Sequence, residues 1–149
     1  MAEGDAIATP KKRRADGQIS GLAGEFFVAA ELLKRDIQTS VTLGNAKAVD
    51  LLAYREDTGQ QFVVQVKTLR TNNVFLINRR DTIDPAHVYV FVLLNKPGVP
   101  VRYFIVQGSE LIDHPEKFGK WIDDPKMPGI APRDLAEFEN NWAVFGCPE

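Results

Sequence analysis

Three polar side chains interrupt two apolar runs in the segment AVDLLAYREDTGQQFVVQVKTLR, residues 48–70. Asp50 stands in the first run; Gln65 and Lys67 stand two apart in the second. A carboxylate, an amide oxygen and an ammonium suit phosphate chemistry. Hard divalent cations such as Mg²⁺ take oxygen ligands, typically one or two carboxylates with waters and a substrate phosphate. Such a cation neutralises charge developing on phosphate, and a nearby lysine can orient water or stabilise the pentavalent phosphorus. Glu25 offers a second carboxylate upstream. His87 and His114 stand far apart, and Cys147 lies in no nucleophile motif, which argues against zinc or thiol chemistry.

These groups need strands and a helix to bring them together. Two strands are read at about 48–55 and 61–68, joined by REDTGQ. Side chains alternate along a strand, so Gln65 and Lys67 share one face while Val64 and Val66 take the other. A turn centred near Asp57–Thr58 pairs position 52 with 63 or 65, which sets Asp50 beside Gln65 and Lys67. A slip of one residue would send Asp50 to the opposite face.

The helix is read from Gln18 to Asp36. Leu22, Phe26, Ala29 and Leu33 recur at i, i+4, i+7 and i+11 and form its expected buried stripe. Glu25 lies about 70° to one side of that stripe, at its border. Gly21 and Gly24 cost helix stability, and they imply close approach by another backbone or a ligand.

Further strands are read at about 38–43, 74–78, 87–94 and 101–107, with HVYVFVLL apolar enough for a strand covered on both faces. Ser109 is read as the cap of a short helix, and a last helix is read over 133–141. This order predicts an α/β fold with a mixed central β-sheet flanked by helices.

The 149 residues fit one domain, read as 18–149 behind a disordered basic tail, 1–17. Apolar residues make up 44% and charged residues 26%, a globular balance. No apolar run reaches the ~18 residues of a membrane span, and the N-terminal stretch lacks the apolar core of a secretory signal. With one cysteine, the chain is read as cytoplasmic. The net charge of −2 hides an asymmetry: 12 Lys/Arg face 9 Asp/Glu in residues 1–80, and 6 face 11 in residues 81–149. Lys47, Lys67, Arg70, Arg79 and Arg80 crowd toward the hairpin, as phosphate contacts would require. Trp121 and Trp142 are read as packing residues rather than base-stacking ones, and Thr68 as the end of its strand.

GLAGEFFVAAELLKR, VDLL and VVQVKT, in that order, resemble the PD-(D/E)xK nuclease superfamily. They are similar above all to its small members of the Holliday-junction-resolvase-like and restriction-endonuclease-like kind. The resemblance covers about residues 18–70. It implies a mixed sheet between helices and a metal site of Glu25, Asp50, Gln65 and Lys67, with Glu25, Asp50 and Gln65 on Mg²⁺ or Mn²⁺. It also implies DNA as substrate, gripped by Lys47, Arg70, Arg79 and Arg80, and action as a homodimer. Two departures stand out. Gln65 replaces the usual acid, which removes one negative charge, and Val49 stands where the pattern has proline. The expected function is a metal-dependent endonuclease hydrolysing DNA phosphodiester bonds. The alternative is a non-catalytic nucleic-acid-binding or protein-interaction module on the same fold.

Overall fold

The computed structural model describes residues 3–42 and 49–148, with side chains in the first helix described from Gly17 onward. Helix α1 runs Glu3–Lys34, so its backbone starts ahead of the Gln18 boundary that periodicity gave. It stops in a Schellman motif. Ile37 N–H donates to the Leu32 carbonyl at 3.0 Å and Asp36 N–H to that of Leu33 at 3.0 Å. Asp36 occupies the left-handed position, φ 61°, and Leu32 and Ile37 share one buried cluster.

Of the expected stripe on α1, only Ala29 is buried. Val28, Ala29, Leu32, Ser20 and Glu25 are buried, whereas Leu22, Phe26 and Leu33 are 42%, 51% and 54% exposed. Two apolar stripes, about 110° apart at 100° per residue with Ala29 between them, compete for the sheet. The one beside Gly24 wins because α1 can approach closest there. A Cβ at Gly24 would run into the Thr68 side chain.

Five strands form the main sheet, in the order β1 (Gln38–Val41), β2 (Leu51–Tyr54), β3 (Gln61–Leu69), β5 (Val88–Leu93) and β6 (Arg102–Gln107). β3 and β5 run parallel and the other neighbours antiparallel, which makes the sheet mixed as expected. The 74–78 strand shortens to β4 (Phe75–Leu76). It leaves the main sheet to pair with β7 (Gly129–Ile130).

One face of the sheet is covered by α1 and by the turn Trp142–Phe145, over Val64, Val66, Val88, Val90 and Ile105. The other carries Tyr89, Phe91, Phe104 and Val106 beneath the C-terminal turns. That second cover stops short of β2: Leu52 and Tyr54 are 47% and 37% exposed. β5 lies under both covers and is buried throughout, as its apolar run demands.

Two helix readings need correction. Helix α2 is Gly108–Asp113 with Gln107 at its N-cap, so Ser109 lies inside it. Gly108 takes the first helical position because a Cβ there would meet the Asp84 carbonyl. The 133–141 helix is a 3₁₀ segment, Pro132–Phe138.

Candidate active site

The hairpin register sets the site. Leu52 pairs with Val63 and Leu51 with Val64, so Asp50, one residue ahead of β2, stands opposite Gln65. Asp50 is not itself a strand residue. Its N–H donates to the Val64 carbonyl at 3.2 Å, and its carboxylate Oδ2 accepts the Val66 N–H at 2.8 Å. The side chain thus takes the place of a strand carbonyl where the ladder ends. This locks the carboxylate against β3.

Gln65 and Lys67 are half-buried on the sparsely covered face. Gln65 pairs with Tyr89 and Lys67 with Phe91, both members of the second core, which confirms the face. The expected convergence of Asp50, Gln65 and Lys67 on one face therefore holds.

Glu25 enters from the other layer. It is 8% exposed on α1, next to Gly24, which packs on Thr68. Thr68 shares the face of Val64 and Val66, opposite Gln65 and Lys67. Its Oγ1 is buried with no hydrogen-bond partner among the described residues. A phosphate cannot reach that hydroxyl, so Thr68 finishes its strand.

The sequence reading set His87 aside, yet it touches the site. Gln65 Nε2 lies 3.4 Å from His87 Nδ1, and His87 Nε2 lies 3.3 Å from Asp84 Oδ2. The signal that could have found it is parity. In the parallel pair, Tyr89 stands beside Gln65, and His87 is two residues ahead of Tyr89 on the same face.

The basic residues differ in their commitments. Arg70 is exposed and donates from Nε to Ser20 Oγ at 2.9 Å, tying the end of β3 to α1. Arg79 is paired with Asp81, and this guanidinium holds the Asp81 carboxyl below the usual carboxylate range. Arg80 binds Asp123 at 2.9 Å and the Ile112 carbonyl at 2.9 Å. Both arginines line a hollow of about 440 Å³ with Asp81, Asp123 and Asp124, where acids outnumber bases. Lys47 lies outside the described residues. Trp142 is buried, with the Arg35 guanidinium 4.3 Å from its ring centre; Trp121 is exposed.

Asp50 and Gln65 offer a carboxylate and an amide oxygen on one face, the kind of donors a hard cation such as Mg²⁺ or Mn²⁺ takes, while Glu25 lies in the layer over the opposite face. Among the described residues, no group of three or more His, Cys, Asp or Glu is placed to hold a metal ion. No helix among the described residues is long and apolar enough to cross a membrane.

No family model and no curated protein matches the chain. Two solved structures share its fold. The Holliday junction resolvase Hjc of Archaeoglobus fulgidus superimposes with a TM-score of 0.56 at 12% identity, over 87% of this chain and 98% of its own. The bacterial homing endonuclease I-Ssp6803I gives a TM-score of 0.56 at 16% identity, over 86% of this chain and 89% of its own. The fold is restriction-endonuclease-like.

Proposed function

We propose that the chain is a divalent-cation-dependent endonuclease hydrolysing DNA phosphodiester bonds. The observation that carries this reading is the meeting of Asp50, Gln65 and Lys67 on one open sheet face, in a fold shared with two DNA endonucleases. Asp50 and Glu25 would hold Mg²⁺ or Mn²⁺ together with the amide oxygen of Gln65. When bound, the cation supplies charge neutralisation at the scissile phosphate.

The remaining work falls to the chain itself. The Lys67 ammonium stabilises the negative charge that grows on the phosphoryl oxygens as water attacks phosphorus and the ester oxygen leaves. The hydrogen bond from Val66 holds the Asp50 carboxylate in place beforehand, so little ordering is needed on binding. Among the basic residues, Arg70 is the best phosphate contact because it is exposed, donates to the Ser20 hydroxyl and pairs with no carboxylate among the described residues. Lys47 is a further candidate phosphate contact. Arg79 and Arg80 are weaker contacts because aspartates already balance them.

A DNA-binding module without catalysis is the second reading, favoured by Gln65 itself, which lowers the negative charge available to a cation. A cleavage panel of branched, single-stranded and duplex DNA with Mg²⁺ or Mn²⁺ decides between them. We expect cleavage of at least one substrate, abolished by chelation and by Lys67→Ala. DNA binding without cleavage, unchanged by Lys67→Ala, would leave only the module.

A further inference from the structure

An amide in place of an acid raises a problem that a carboxylate does not have. Both ends of a carboxylate are oxygen, so either can meet a cation. An amide has one oxygen and one NH₂, and with the NH₂ inward it presents hydrogens to a positive charge. A glutamine ligand therefore needs something to set which end faces in.

We propose that His87 is a positioning residue that fixes the Gln65 side chain with its oxygen toward the cation; this rests on the cation-binding reading above. One chain of polar contacts links Asp84, His87 and Gln65. Asp84 is held by its own turn, with Oδ1 accepting the Ala86 N–H at 2.9 Å. Its Oδ2 faces His87 Nε2 at 3.3 Å. A carboxylate only accepts, so Nε2 carries the imidazole proton, and in the neutral ring Nδ1 is left as an acceptor. An acceptor selects a donor, and Gln65 Nε2 is the group 3.4 Å from it.

The backbone of His87 is fixed as well. Its carbonyl accepts Gly108 N–H at 2.8 Å and Gln107 Nε2 at 3.3 Å. Strand order then gives the direction. β3 lies between β5 and β2; His87 leads into β5, and Asp50 leads into β2. The nitrogen of Gln65 is drawn to the β5 side, so its oxygen is turned away from His87.

The test is a double-mutant cycle read by calorimetric titration with Mn²⁺ in the absence of DNA, with a thermal melt on each variant. His87→Ala is expected to weaken Mn²⁺ binding at least about 10-fold, the usual effect of losing a group that orients a ligand. His87→Asn, whose carboxamide oxygen can accept the same hydrogen bond, should retain most of the affinity. It also serves as the second variant if His87→Ala unfolds. In a Gln65→Glu background, either end of the side chain meets the cation, so His87→Ala should cost less than about twofold. An equal loss in both backgrounds would overturn the proposal, since His87 would then act on its own. No loss in either background would overturn it too. Wild-type protein that binds no Mn²⁺ would instead bring down the cation reading itself, and this inference with it.

Discussion

Phe62, Val64 and Val66 point from β3 into the layer under α1, where Val64 is fully buried and Phe62 and Val66 nearly so. Gln65 and Lys67, on the same strand, point the other way onto a face whose cover stops before β2. A nine-residue strand thus has one side closed by packing and one side open to a ligand. Burial makes the first side intolerant of lost volume and the second intolerant of lost charge. The open side can carry Gln65 and Lys67 because Phe62, Val64 and Val66 pack the closed side of the same strand.

The largest effect that would break this contrast is catalytic. Lys67→Ala should lower cleavage at least ~10², the scale of removing one charge-stabilising group, while the melting temperature stays put. Asp50→Asn should lose cleavage similarly and keep the Val66 hydrogen bond. Asp50→Ala should add a stability loss of about 1–3 kcal/mol, because it orphans that N–H. Turnover at the wild-type rate in these variants would end the assignment of the open face as the site.

Val64→Ala tests the closed face. Removing two buried methyl groups should cost about 2 kcal/mol in urea unfolding and leave Mn²⁺ affinity unaltered. A large change in affinity with little change in stability would show that the two faces are not separate in function.

A smaller effect concerns the contact that sets α1 on the closed face. Gly24→Ala forces its Cβ against Thr68. Overpacking of about 1–3 kcal/mol, offset by about 1 kcal/mol of helix propensity, leaves a net destabilisation near 1 kcal/mol. Adding Thr68→Ala removes the obstructing Oγ1 and Cγ2 and leaves only Cβ, so the double variant should recover most of that loss. Failure to recover would mean that the close approach of α1 lies elsewhere.

The smallest effect separates the arginines. In a salt titration of DNA binding, Arg70→Ala should reduce the slope by about one unit, as loss of one phosphate contact does. Arg79→Ala and Arg80→Ala should each change it by less, because Asp81 and Asp123 already hold those charges. Equal slopes for all three variants would remove this ranking.

The face shared by Asp50, Gln65 and Lys67 was legible in the sequence. Asp50, Gln65 and Lys67 fall on one face as expected because strand alternation and a short loop leave few registers. The observed pairing of Leu52 with Val63 is one of the two that the turn allowed. The strands were found within a few residues for the same reason: period-two apolar runs bounded by turn residues are a local signal. His87 was missed because its meeting with Gln65 depends on a parallel pairing across a long connection, and local pattern carries no register for such a pair. The charge of Arg80 counted as available because Asp123, its partner 43 residues further on, was invisible along the chain; Asp81, the partner of Arg79, stands only two residues away.

By itself the sequence determined the hairpin, its polar triplet and the mixed α/β class, since each follows from periodicity and turn chemistry acting over a few residues. Only the tertiary structure decided which stripe of α1 is buried. Both stripes are apolar, and the choice between them rests on how closely Gly24 lets the helix approach Thr68. That choice turns Leu22 and Phe26 outward and draws Glu25 into the interior. Tertiary packing also decided which face of β3 stays open: the cover over β5 and β6 ends before β2, and no periodicity along the chain records where a distant layer stops.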